Sequence, residues 1–372
     1  MPTYRKDNRK SSQKKEEKID NDIDGISLDD AEDKKNVEEI KRKSKRPLWK
    51  TILFCFLIVL FIFFLIVFSV FFILRNKGKN DLEVKEQTVL YDGKKYTYRT
   101  DIVNILCLGV DKDLSLEQME SGRGNFGMTD AILLVSIDTK RDEVKIISIP
   151  RDTMAEVQMT MEDGSFGPKE RAQICYQYAY GNSVEQCCEL TVEAVSKLLY
   201  NIPIQKYCAV NFKAIPMLND AIGGVDVVVQ EHIEEWGTGF EYGENVHLEG
   251  EKALLYVRAR NRWSADGTVM RAQRQKQYAF AFAQKAKSVV FKNPSLPIVM
   301  LQDLQESGNM STDITIEDIV YLMPKMLTMS FTEDTFQTLP GESKVGESGF
   351  AEFYMDVDAV KDLIIDTFYE EV

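Results

Sequence analysis

Histidine is nearly missing: His232 and His247 are the only two in 372 residues. This scarcity excludes a histidine-rich metal centre, and there is no His-Glu-x-x-His pair of the kind zinc proteases use. Cysteine is also scarce, at six residues, with neither a Cys-x-x-Cys pair nor the spacing of a disulfide-stapled domain. Cys55 falls in an apolar run, and Cys107, Cys175, Cys187, Cys188 and Cys208 are an odd five, so disulfides among them are neither required nor excluded. A Gly-x-Ser-x-Gly elbow and a Walker loop are missing too, which argues against an ordinary serine hydrolase and a nucleotide triphosphatase.

The chain also lacks a basic excess. It carries 46 Lys/Arg against 59 Asp/Glu, a formal charge of -13. The deficit is uneven: residues 1–50 hold 15 basic and 12 acidic residues, residues 51–74 hold none, and residues 75–372 hold 31 against 47. Affinity for a phosphate backbone rests on Lys/Arg excess, so nucleic acid is not an expected partner.

One stretch is extreme in the other direction. Thr51 to Leu74 is 24 uncharged residues, mostly Phe, Ile, Leu and Val. As a helix it would span about 36 Å, enough for a hydrocarbon core of about 30 Å. About fifty residues precede it and no small-residue cleavage site follows, so it reads as an uncleaved transmembrane anchor rather than a signal peptide. Lys41, Arg42, Lys43, Lys45, Arg46 and Lys50 precede it; Arg75, Lys77 and Lys79 follow. Six against three places the N-terminus in the cytoplasm and the large part outside a cell membrane crossed once. Residues 1–46 are polar, with Tyr4 their one aromatic, and read as a disordered cytoplasmic tail. Residues 75–100 read as a polar connector with a short strand at Lys95–Arg99. The globular part is residues 101–372.

Within it, apolar runs at Ile102–Val110, Ala131–Ile137 and Val144–Ile149 predict strands, the last two joined by a turn at 138–142. Helical spacing follows over Ser183–Tyr200, with strands at Tyr207–Phe212 and Val225–Gln230 around a short helix at Lys213–Ile222. Helices are predicted at Leu248–Tyr256, Met270–Phe291, Ile316–Met329 and Val357–Glu370. This alternation predicts an α/β fold, a central mixed β-sheet flanked by helices on both faces, three layers α/β/α, after one N-terminal transmembrane helix.

Five arginines stand out against the acidic background: Arg258, Arg260, Arg262, Arg271 and Arg274. Arg258 and Arg260, two apart, share a side in an extended chain. Arg271, Arg274 and Gln275 share a helix face. Converging guanidinium groups suit a di-anion such as phosphate or pyrophosphate; the alternative is a solvated basic face. Asp111 and Asp130 sit at the ends of two apolar strands, which antiparallel pairing would bring together. Two such carboxylates either hold Mg²⁺ or are turn and capping residues. Arg151 follows a buried strand, either as a phosphate clamp or as the partner of an acid such as Asp152. Gly122 to Gly127 fits G-x-G-x-x-G, but no strand precedes it, so it reads as a loop beside a site rather than a dinucleotide fingerprint.

Taken together the blocks resemble the LytR-CpsA-Psr family of cell-wall enzymes over roughly Asp101 to Lys285. They are Asn104–Asp111, Thr129–Asp138, Ile147–Thr153, Ile174–Gly181, Asn211-Phe212, Ala221–Asp226, and Gly250–Leu254 running on to Tyr256–Arg260 and Arg271–Gln275. The resemblance implies a phosphotransferase moving an anionic glycopolymer (teichoic acid or capsular polysaccharide) from a polyprenyl-pyrophosphate carrier in the membrane lipid to a peptidoglycan hydroxyl, with Mg²⁺ or Mn²⁺. It assigns the metal to Asp111 and Asp130 and the pyrophosphate to Arg151, Arg258, Arg260, Arg271 and Gln275, with Arg274 in the same block. Asp111 or Asp152 would serve as base, making Asp111, Arg151 and Asp152 the catalytic set. Two positions depart from the family. Met128 stands where an Arg is common, with Arg123 nearby, and Thr268 where an Asp is common, with Asp266 nearby. The rival readings are a lipid-pyrophosphate hydrolase and a non-catalytic envelope binding or regulatory protein.

Overall fold

The computed structural model describes residues 48–118, 126–161, 163–234, 239–259, 267–347 and 349–372. The reading of residues 1–46 as a disordered tail lies outside these residues, as do Arg123, Arg260, Arg262 and Asp266. Two compact units divide the chain, residues 1–70 and 71–372.

Helix α1 (Leu48–Asp81) contains the apolar run. It is long and apolar enough to cross a membrane, and its large side chains from Ile52 to Ile73 are exposed. Residues 75–100 carry the end of α1 and a hairpin, β1 (Thr88–Tyr91) and β2 (Lys94–Tyr98). Then come β3 (Ile102–Val110), β4 (Thr129–Asp138) and β5 (Glu143–Ile149), followed by a hairpin of β6 (Met154–Thr160) and β7 (Phe166–Gln173) and a 3-10 turn at Ile174–Tyr180. The middle holds α2 (Val184–Leu198), β8 (Lys206–Val210), α3 (Ala214–Ala221), β9 (Val225–Val228) and β10 (Asn245–Leu248). Helices α4 (Glu251–Arg258), α5 (Gly267–Lys292) and α6 (Leu296–Glu306) lead to β11 (Met310–Thr312) and α7 (Ile316–Met326). The last elements are β12 (Phe336–Thr338), β13 (Gly341–Val345), β14 (Ala351–Met355), α8 (Val357–Phe368) and β15 (Tyr369–Glu371), which pairs with β2.

Six strands form the central sheet in the order β11-β8-β3-β4-β5-β12. The β3–β4–β5 meander is antiparallel, while β8 joins β3 and β12 joins β5 in parallel, so the sheet is mixed, as predicted. Alternation along β3 sends Leu106, Leu108 and Val110 into one core with α2 and α8. Ile105 and Val135 face the opposite layer, where Tyr321 and Leu322 of α7 pack. The helices start where the sequence caps them. Ser183 accepts from the Gln186 amide at the head of α2, and Thr315 with Asp318 forms a reciprocal capping box at α7.

Candidate active site

Pairing of β3 with β4 builds the acidic side of the site. The register shifts between Gly109 and Val110, after which Val110 pairs with Thr129. The Asp111 amide then donates to the Met128 carbonyl at 2.9 Å. Asp111 and Asp130 thereby emerge at the same sheet end, as antiparallel pairing requires. Irregularities of this kind often re-aim side chains beside sites. Gly109 permits the approach, since a Cβ there would lie 3.0 Å from that of Ala131. Both carboxylates line a cleft of about 520 Å³, and Arg258, Arg271 and Gln275 line it too.

Arg151 leaves the end of β5, the strand beside β4. Its Nη1 pairs with Asp130 Oδ1, its Nε lies 3.6 Å from Asp152, and its Nη2 meets Cys175 Sγ at 3.8 Å. Burial pushes the Asp130 carboxyl above the ordinary aspartate value; Arg151 opposes this shift, and the like charge of Asp111 adds to it. Burial raises Asp152 as well, against Arg151 and Arg271. For Arg151, burial works to lower the pKa, but Asp130, Cys175 and Asp152 outweigh it, so its charge is held firmly. Asp152 also accepts from Gln173 at 3.2 Å and does not line the cleft, so it bears on Arg151 rather than on a bound ligand.

The basic side departs from expectation in two places. Arg258 is the last residue of α4, not part of an extended pair, so the two-apart argument does not apply to it, and Arg260 lies outside the described residues. Its guanidinium lies over the Phe212 ring at 4.0 Å, 3.5 Å from Asp113 and 3.9 Å from Asp111. Arg274 is the second correction. Its side chain is 1% exposed and its nitrogens are taken by Glu231 and by the carbonyls of Tyr256 and Ala259. Burial pulls its pKa down while Glu231 works against that. It has no face toward a pyrophosphate in the cleft. Arg271 and Gln275 do line it, one helical turn apart, and Gln275 also donates to the Val257 carbonyl at 3.1 Å.

Asp113 and Phe212 also belong to the surroundings of Arg258. The signal for Asp113 is its spacing, two after Asp111; Phe212 lies in a recognised block, but nothing local marks it as the platform under Arg258.

Among the described residues no group of three or more His, Cys, Asp or Glu could hold a metal ion. Asp111 and Asp130 remain, and two carboxylates fit Mg²⁺, which commonly takes one or two from protein and fills its shell with water and substrate phosphate oxygens. Burial first, and the like charge of Asp111 after it, raise the Asp130 pKa, which fits a place where a cation is welcome.

A mixed α/β sheet delivers carboxylates at one strand end to a cleft that arginines also line, an arrangement suited to an anionic ligand. The profile of the LytR_cpsA_psr family matches residues 70–364, and the chain belongs to that family. A polyisoprenyl-teichoic acid–peptidoglycan teichoic acid transferase, TagU of Bacillus cereus, is 29% identical over 266 residues, 71% of this chain and 77% of that protein. The crystal structure of TagV of B. subtilis covers 72% of this chain and 98% of its own, at 26% identity and a TM-score of 0.52. A structure of TagT bound to LI-WTA shares the fold, covering 77% and 95%, at 23% identity and a TM-score of 0.53.

Proposed function

We propose that this protein transfers a teichoic acid from a polyprenyl-pyrophosphate carrier to a peptidoglycan hydroxyl. Convergence of Asp111, Asp130, Arg258, Arg271 and Gln275 on one cleft carries this reading, since it provides both charge types a pyrophosphate transfer needs. The curated relatives bear the name of a transfer of teichoic acid to peptidoglycan. The six-to-three excess of basic residues before the apolar run supports a single-pass anchor with its N-terminus in the cytoplasm and the cleft outside.

Phosphoryl transfer asks a protein for charge neutralisation and alignment more than covalent chemistry. Arg258 and Arg271 bind the pyrophosphate oxygens, and Gln275 orients them. Arg151 steadies Asp130 and adds positive charge at the strand ends. Asp111 and Asp130 would hold Mg²⁺, which supplies further neutralisation of the pyrophosphate when bound. The acceptor oxygen attacks the phosphorus nearest the sugar, and the bond from that phosphorus to the bridging oxygen breaks. Polyprenyl monophosphate leaves with the bridging oxygen. The hydroxyl proton passes to a carboxylate, and of Asp111 and Asp152 it is Asp111 that lines the cleft.

The test compares full-length enzyme with Arg151→Ala and Arg258→Ala, using a labelled lipid-linked donor and isolated peptidoglycan. Wild type is expected to label peptidoglycan and each variant to lose on the order of a hundredfold or more in rate. Persistence of transfer in both variants rules out a catalytic site here, and wild-type release of polymer that is indifferent to peptidoglycan marks a hydrolase.

A further inference from the structure

Among the described residues Arg274 is the largest fully buried side chain, and the pyrophosphate chemistry does not use it. Its surroundings show what it does. A helix leaves its last carbonyls without intrahelical partners, and those of α4 lie beside the cleft. Arg274 Nε donates to the Tyr256 carbonyl at 2.8 Å and Nη2 to that of Ala259. Gln275 takes the Val257 carbonyl between them. Side chains of α5 thus satisfy carbonyls on both sides of Arg258. A cation also suits a helix C-terminus. A buried guanidinium needs a counter-charge, and Glu231, from the segment after β9, supplies it through Nη1. The Tyr256 ring completes the enclosure, with the guanidinium carbon 5.8 Å from its centroid. Gln277 accepts from the Tyr256 hydroxyl at 2.6 Å and donates to the Val228 carbonyl, extending the same seam.

We propose that Arg274, clasped by Glu231, is a positioning residue that caps the end of α4 and so fixes Arg258 over the cleft. This rests on Arg258 binding pyrophosphate, as proposed above. Lysine at 274 keeps the charge for Glu231 but cannot serve two carbonyls at fixed angles. Glutamine at 231 keeps the acceptor oxygen and removes the charge.

The experiment is a double-mutant cycle on full-length protein in detergent, with binding of geranyl pyrophosphate and Mg²⁺ as the readout. Arg274→Lys and Glu231→Gln should each weaken binding about tenfold, the scale of one hydrogen bond to a charged group. In an Arg258→Ala background neither should weaken it further, because the clasp acts through Arg258. Should Arg274→Lys fail to fold, the Glu231→Gln arm carries the same test. Full additivity with Arg258→Ala overturns the inference and leaves the site assignment standing. Unchanged affinity in Arg258→Ala alone overturns the site assignment, and the inference with it.

Discussion

Arg151→Lys separates geometry from charge behind Asp130, since Arg151 reaches that carboxylate without lining the cleft itself. Arg151 reaches Asp130 through Nη1, Asp152 through Nε at 3.6 Å and Cys175 through Nη2 at 3.8 Å. A single ammonium on a flexible stem cannot hold all three directions. A hydrogen bond to a charged group is worth about 1.5–3 kcal/mol, so losing one that matters in the transition state slows transfer about 10- to 150-fold. Stability should change little. The Arg151 side chain is 30% exposed, so solvent screens the pair and holds its contribution to at most about 1 kcal/mol. For a domain of this size that is a fall in melting temperature of about 2–4 °C. The assay is initial rate of transfer from a labelled lipid-linked donor, beside thermal unfolding of the same preparations. A lysine variant that keeps half the wild-type rate would refute the need for the fork. One that unfolds more than about 10 °C early would make Arg151 a structural residue instead.

Burial raises the Asp130 pKa, so on acidification it takes up its proton sooner than an ordinary aspartate. Its contribution to stability is therefore full below the unfolded value and is lost as pH rises through the folded one. Asp130→Asn should flatten the change in urea midpoint between about pH 4 and about pH 7, and a wild-type slope in the variant would contradict the shift. Gly109→Val should cost about 1–3 kcal/mol by overpacking against Ala131 and also reduce transfer by displacing Asp111, both read from one purified sample. Chelation of divalent ions should stop transfer, with Mg²⁺ restoring it and Ca²⁺ restoring less, because an octahedral ion suits two carboxylates and phosphate oxygens better.

Much of the fold was legible because burial leaves a pattern. Ile102–Val110 is a near-continuous apolar run and is β3 to the residue. Asp111 and Asp130 were readable as a pair because antiparallel strands must meet at one end. The β6–β7 hairpin was not legible: β7 reads Phe-Gly-Pro-Lys-Glu-Arg-Ala-Gln, mostly exposed, with no alternation to detect. Helical spacing groups Arg271, Arg274 and Gln275 on one face of α5. It does not show that Arg271 and Gln275 line the cleft while Arg274 is buried against the carbonyls at the end of α4. Arg274's carboxylate partner is Glu231, 43 residues away in the chain, so no local motif announces the clasp. Arg258 reads as half of an extended pair because Arg260 stands two residues on, but α4 continues through Arg258 and makes it helical.

The proposed transfer turns on attack at the phosphorus nearest the sugar. It is tested most directly by following phosphorus in a single-turnover reaction with a donor labelled separately at its two phosphates. Attack there puts the sugar-side phosphorus on peptidoglycan as a diester and the lipid-side phosphorus in polyprenyl monophosphate, one of each per polymer transferred. Both labels leaving together as polyprenyl pyrophosphate, with polymer joined to peptidoglycan through a glycosidic bond, would contradict it.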